Sequence, residues 1–106
     1  MAQSDHAYAD AVALPRRIRD PRGREVFLTA ERWEHIVDGH PELKAHQEDV
    51  ERAVETPTET TAGRGTGEEW FYLADAGPSR WLKIVVVFEA PASGRIITAF
   101  PRRRKP

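Results

Sequence analysis

The chain has no cysteine, so neither a disulfide framework nor a thiolate zinc site is open to it. It has no apolar run long enough for a signal peptide or a membrane span, which sets the expectation of a cytoplasmic protein with no membrane partner. A G-x-S-x-G elbow is also missing, and Ser79 and Ser93 both fall in turn-like stretches, which sets nucleophilic hydrolase chemistry aside. At 106 residues the chain is long enough for one domain with a modest core and too short for two lobes.

Charge is present but unevenly placed. Residues 31 to 69 hold eleven acids and four bases, whereas residues 80 to 106 hold seven bases and one acid, four of those bases in "FPRRRKP". Such an asymmetry guides a polyanion or an acidic partner to one side of a molecule, although a solubilising tail has the same composition. The first dozen residues are small and polar without sustained periodicity. The division that follows is a loose arm over 1–13 including His6, a single domain over 14–102, and a basic tail over 103–106.

"RRIRDPRGREVFLT" reads as a short N-terminal hairpin around the turn "DPRG". At Thr29 the period changes to helical. Thr29 suits an N-cap, Trp33, Ile36 and Val37 form an apolar stripe, and Gly39 with Pro41 supplies the stop. A second helix carries Leu43, Val50, Ala53 and Val54, starts somewhere between Pro41 and His46, and closes at "ETP". Beyond residue 57 a turn-rich stretch, "TETTAGRGTGEE", precedes three β-branched and aromatic segments at 70–74, 80–90 and 94–100. The predicted fold is α+β, with two N-terminal helices packed on an antiparallel sheet of about four strands. On the long strand Leu82, Ile84, Val86 and Phe88 share one face and Trp81, Lys83, Val85 and Val87 the other; the first should meet the helices and the second should form a partly enclosed surface.

Three histidines need a reading. His35 lies about 200° around its helix from Trp33, away from the apolar stripe. His40 follows Gly39, where an imidazole can cap carbonyls, pack beside Trp33 or face a cleft. His46 falls near the apolar stripe of the second helix, as a satisfied interior histidine does. The spacings H-x4-H and H-x5-H do not give the i, i+4 pair of a helical zinc motif, so no metal is assigned despite Glu34, Asp38 and Glu42 nearby, and no cofactor is implied. What the composition favours is proton transfer by an imidazole beside cations that stabilise charge on phosphorus. That pairing suits metal-independent cleavage of RNA, the only nucleic acid with a 2'-hydroxyl nucleophile. Lys83, Arg95 and Arg102 are the cationic candidates, and Thr98 adds a hydroxyl for a phosphate oxygen. Each also has an ordinary structural role open to it.

The order "LTAERWEHIVDGHPEL", "DVERAVETP", "WLKIVVVFE", "GRIITAFPRR" resembles a small nuclease-like domain of the barnase, EndoU, colicin-nuclease and RelE-like superfamily, most of all its phage-associated branch. The likeness spans residues 25 to 102. It implies helices on one side of an antiparallel sheet and a toxin-like, metal-independent endoribonuclease. On the matching positions it implies His35 and His40 as the paired histidines, Lys83 as the basic residue of the penultimate strand and Thr98 as the hydroxyl of the last strand. Arg95 and Arg102 are then candidate phosphate binders and Trp81 a candidate base-contacting ring. RNA is the implied partner, with an antitoxin or immunity protein as a second one. The alternative is a module of the same fold that binds RNA or protein without cleaving anything. One geometric tension follows: with helices on one sheet face and Lys83 on the other, His35 and Lys83 do not converge unless the helix edge overhangs the sheet.

Overall fold

A computed structural model describes residues 13–106, so the expected arm, His6 included, falls almost entirely outside the described residues. Two short strands open the fold: β1 (Arg16–Arg19) and β2 (Glu25–Leu28) run antiparallel, with Arg16 opposite Leu28 and Arg19 opposite Glu25. Asp20 ties their turn, its carboxylate accepting from the backbone N–H groups of Arg22 and Arg24 and from Arg24 Nε. A short carboxylate that bonds the backbone two residues on substitutes for a backbone turn bond, and so fixes this one.

Thr29 then caps α1 (Ala30–Gly39), its Oγ1 accepting from the Arg32 N–H at 3.1 Å. Ile36 is buried and Trp33 packs against the core from a partly covered position. The helix stops at His40, whose N–H returns to the Ile36 carbonyl, because Pro41 has no N–H to continue the ladder. A single 3-10 turn (Pro41–Leu43) precedes α2 (Gln47–Glu55). The ambiguous start of the second helix thus resolves into two pieces: Leu43 is buried from the 3-10 turn, and Val50, Ala53 and Val54 from α2. No helix among the described residues is long and apolar enough to cross a membrane.

The rest of the described chain is sheet: β3 (Glu59–Ala62), β4 (Glu68–Ala74), β5 (Trp81–Ala90) and β6 (Ser93–Arg102). All six strands form one sheet in the order β1-β2-β6-β5-β4-β3. The α+β class holds, while the expected four antiparallel strands become six in a mixed sheet. There are two physical reasons. β2 pairs in parallel with the start of β6, Val26 opposite Gly94, which buries Val26 and draws the hairpin into the sheet. Threonines at 60 and 61, inside the stretch read as a turn, form β3 opposite Phe71 and Trp70; β-branched residues favour a pleated strand, and the glycines of the turn begin only at residue 63. The helices accordingly sit between a strand pair and the remaining four strands instead of opening the domain.

Alternation along β5 buries Leu82, Ile84 and Val86 completely, in one cluster with Ile36, Leu43, Val50 and Val54. Each such side chain is worth about 1.5–3 kcal/mol of burial. A one-residue slip of this strand would therefore forfeit an amount comparable to the whole net stability of a domain. The opposite face carries Trp81, Lys83, Val85 and Val87, as the sequence pattern requires.

β6 departs from simple alternation. Val86 pairs with Ile96 but Val85 pairs with Thr98, so Ile97 is an extra residue, a β-bulge. Ile96 lies on the buried face, and without the bulge Thr98, Phe100 and Arg102 would follow it there. With it, Ala99 becomes the buried residue, and Thr98, Phe100 and Arg102 turn to the open face beside Val85, Lys83 and Trp81.

Candidate functional site

The bulge and the shortness of β2 together shape one end of the open face. β2 pairs only with residues 93–95 of β6, which leaves the later part of that strand without a neighbouring strand on this side. α1 packs there, and Arg32 Nη1 donates to the Ile97 carbonyl at 3.2 Å, the backbone group freed by the bulge. His40, just past the end of α1, consequently comes over the edge to Phe100, their ring centroids 5.9 Å apart. The end of the helix overhangs the sheet edge and brings His40 there, while His35 stays exposed on the helix.

Lys83 is the centre of the arrangement. It pairs with Tyr72 on β4 and with Phe100 on β6, and its Nζ lies 3.5 Å from the ring centroid of Trp70, 5.3 Å from that of Phe100 and 5.8 Å from that of Tyr72. The residue is only 9% exposed, and it joins no ion pair among the described residues. The ring faces attract an ammonium, and Trp70 at this distance does so most strongly. Burial works the other way and pushes the Lys83 amine below its ordinary value of 10.5, assisted by the positive charges of Arg102 and then Arg64, while Glu68 opposes them. The Arg102 guanidinium carbon stands 5.7 Å from the Tyr72 ring. The Glu68 carboxyl is lowered from its ordinary value by Trp70 Nε1, which donates to it, and by the Arg64 N–H. A direct check is the titration of Lys83 followed by NMR at Cε: the midpoint is expected below 10.5, and Arg102→Met is expected to move it upward. A midpoint unmoved by that substitution would mean that the two cations do not share a site.

The candidate residues divide clearly. Lys83, Arg102, Trp81, Thr98 and His40 come to one end of the open face, with Trp81 opposite Arg102 and Thr98 two residues from Phe100. His35 is exposed on α1, as its place away from the apolar stripe leads one to expect, and no contact among the described residues joins it to this cluster. Arg95 lies on the far side of the bulge, where both its Nε and Nη2 donate to Glu89, so the carboxylate already occupies the guanidinium. Glu42 accompanies His40, its Oε2 3.4 Å from Nδ1. His46 is half-buried at the start of α2 and faces Asp49 at 3.4 Å, in agreement with a structural role.

No family model, curated protein or solved structure matches the chain. The face is therefore read from its own chemistry. Tyr72, Phe100, Arg64 and Glu68 stand in the cluster and were not singled out by the sequence, while Trp70 was open to either a core or a base-stacking role. For Trp70 and Tyr72 a signal existed: alternation in β4 pairs them with the Lys83 side of β5. For Phe100 there was none, because only the bulge places it there. Among the described residues no group of three or more histidine, aspartate and glutamate side chains gathers as a metal would need.

Proposed function

We propose that this protein is a metal-independent endoribonuclease that takes single-stranded RNA on the open face of its sheet, near the end of β6. One observation carries the reading: an imidazole, an ammonium with no carboxylate partner among the described residues and a guanidinium stand around three aromatic rings, of which Trp70 and Phe100 are partly exposed and Tyr72 is buried. Rings of this kind stack bases, and uncompensated cations attract phosphates. His40 takes the proton of the 2'-hydroxyl as its oxygen attacks phosphorus. The P–O5' bond breaks, and protonated Lys83, whose lowered affinity for its proton suits a general acid, gives that proton to the departing oxygen. Arg102 bears on the non-bridging oxygens while charge builds up there. The products are a 2',3'-cyclic phosphate and a 5'-hydroxyl.

A second reading is binding without cleavage, and the position of His35 favours it, since only one of the two expected histidines reaches the cluster. Incubation with mixed-sequence RNA in EDTA, followed by end-group analysis, separates the two. Cyclic-phosphate ends are expected from the wild type and from His35→Ala, with His40→Ala reduced about 10²- to 10⁴-fold. Intact RNA bound by folded wild-type protein would establish the second reading instead.

A further inference from the structure

Beside the Lys83 cluster, at the end of the sheet, two adjoining depressions of about 710 and 410 Å³ share Pro78, Ser79 and Arg103. Arg80 lines the larger one, and Arg102 the smaller. None of these three arginines joins an ion pair among the described residues, and Arg80 and Arg103 are exposed. The loop that forms the wall is fixed at two points. The Gly77 N–H donates to Asp49 Oδ2 on α2 at 2.8 Å, and Ser79 Oγ donates to the Arg102 carbonyl on β6 at 3.0 Å. Gly77 has φ +69, a conformation that strains other residues, and Ala76 beside it is buried. The guanidiniums are thus mounted on anchored backbone. Glu42, the acidic residue of the smaller depression, is the one that faces His40, so this depression adjoins the proposed reaction site directly.

We propose that these depressions form a second phosphate-binding subsite, in which Arg80 and Arg103 hold the backbone of RNA flanking the phosphate at Lys83, with Arg102 shared between the two positions. This rests on the RNA reading of the open face. The subsite adds affinity only for strands long enough to leave the Lys83 end, and the added part is electrostatic. An aromatic platform alone would gain from length through stacking instead, with a weaker dependence on salt.

The test compares 2'-O-methyl oligonucleotides of three and ten nucleotides, which cannot be cleaved, against wild type and Arg80→Ala/Arg103→Ala at several salt concentrations. The double variant is expected to bind the trimer as the wild type does. It is expected to lose about tenfold in affinity for the decamer, with its salt slope shallower by about 1.4. Arg80→Lys/Arg103→Lys is expected to recover most of the loss, which a merely structural role would not show. Equal weakening for both lengths, or for neither, overturns the subsite. If wild type binds both oligonucleotides but leaves ordinary RNA intact, the cleavage reading falls while the subsite is judged on length alone. If wild type binds neither, the RNA reading falls and the subsite with it.

Discussion

Lys83→Met is expected to reduce RNA cleavage about 10²- to 10⁴-fold, the loss typical when a general acid is removed. The same substitution is expected to leave the protein as stable as before or more so. The side chain is almost wholly covered and has no carboxylate partner among the described residues, so its charge is retained against the cost of burial. Methionine has nearly the same shape, keeps the contact with the Trp70 ring through its sulfur, and removes that cost. What is lost is the attraction of the rings for the cation, about 0.5–2 kcal/mol. Activity and thermal midpoint, measured together, decide the matter. A clear drop in midpoint with cleavage unaffected would make Lys83 a packing residue.

The second large effect lies at the other end of the sheet. Arg24 donates from Nη1 and Nη2 to both oxygens of Glu69 at 2.8 Å, from Nε to Asp20 at 2.9 Å, and its guanidinium carbon stands 3.7 Å from the Phe88 ring centroid. It thereby joins the β1–β2 turn to β4, which β6 and β5 separate from β2 in the sheet order. Asp20 is 4% exposed. Removing the cation leaves carboxylates covered and unpaired, so Arg24→Met is expected to cost about 3–5 kcal/mol in denaturant unfolding at neutral pH. The sign of the pH dependence follows from Glu69, whose carboxyl Arg24 holds below its ordinary value of 4.5. That contribution is fully present above 4.5 and is lost as pH falls through the lowered value, because the proton then competes with the guanidinium. The gap between wild type and variant should narrow on acidification. A gap that stays constant down to pH 3 would show that Arg24 acts through its packing on Phe88 and not through charge.

Local signals made much of this molecule readable. Thr29 as a cap, Ile36, Val50 and Val54 as buried stripes and the two faces of β5 are properties of a few neighbouring residues, and the chain shows them directly. The parallel contact of Val26 with Gly94 is different in kind: it joins residues far apart in the chain, and no short-range pattern encodes it. Lys83 and Arg102 were recognisable as cations on strands, but their convergence with His40 depends on the short β2 and the overhanging helix. Arg95 looked equivalent to Arg102 in composition, and only Glu89 distinguishes them. Trp70, as part of a strand whose pairing was foreseeable, was within reach.

Ile97 gives the protein an unusual mutational profile. Substitutions along β6 change one side chain at a time, and each can be judged by its own size and charge. Deleting this single residue would restore strict two-residue phase with Val86 still opposite Ile96 and Val85 still opposite Thr98, so Ala99 would stay in the core and Phe100 and Arg102 on the open face; only keeping every residue and pairing Ile97 with Val85 would exchange inside for outside. Genetically the strand thus carries one residue in reserve. A library of substitutions explores the chemistry of the site, whereas the loss of this one codon probes the bend alone, since it leaves Thr98, Phe100 and Arg102 facing as before.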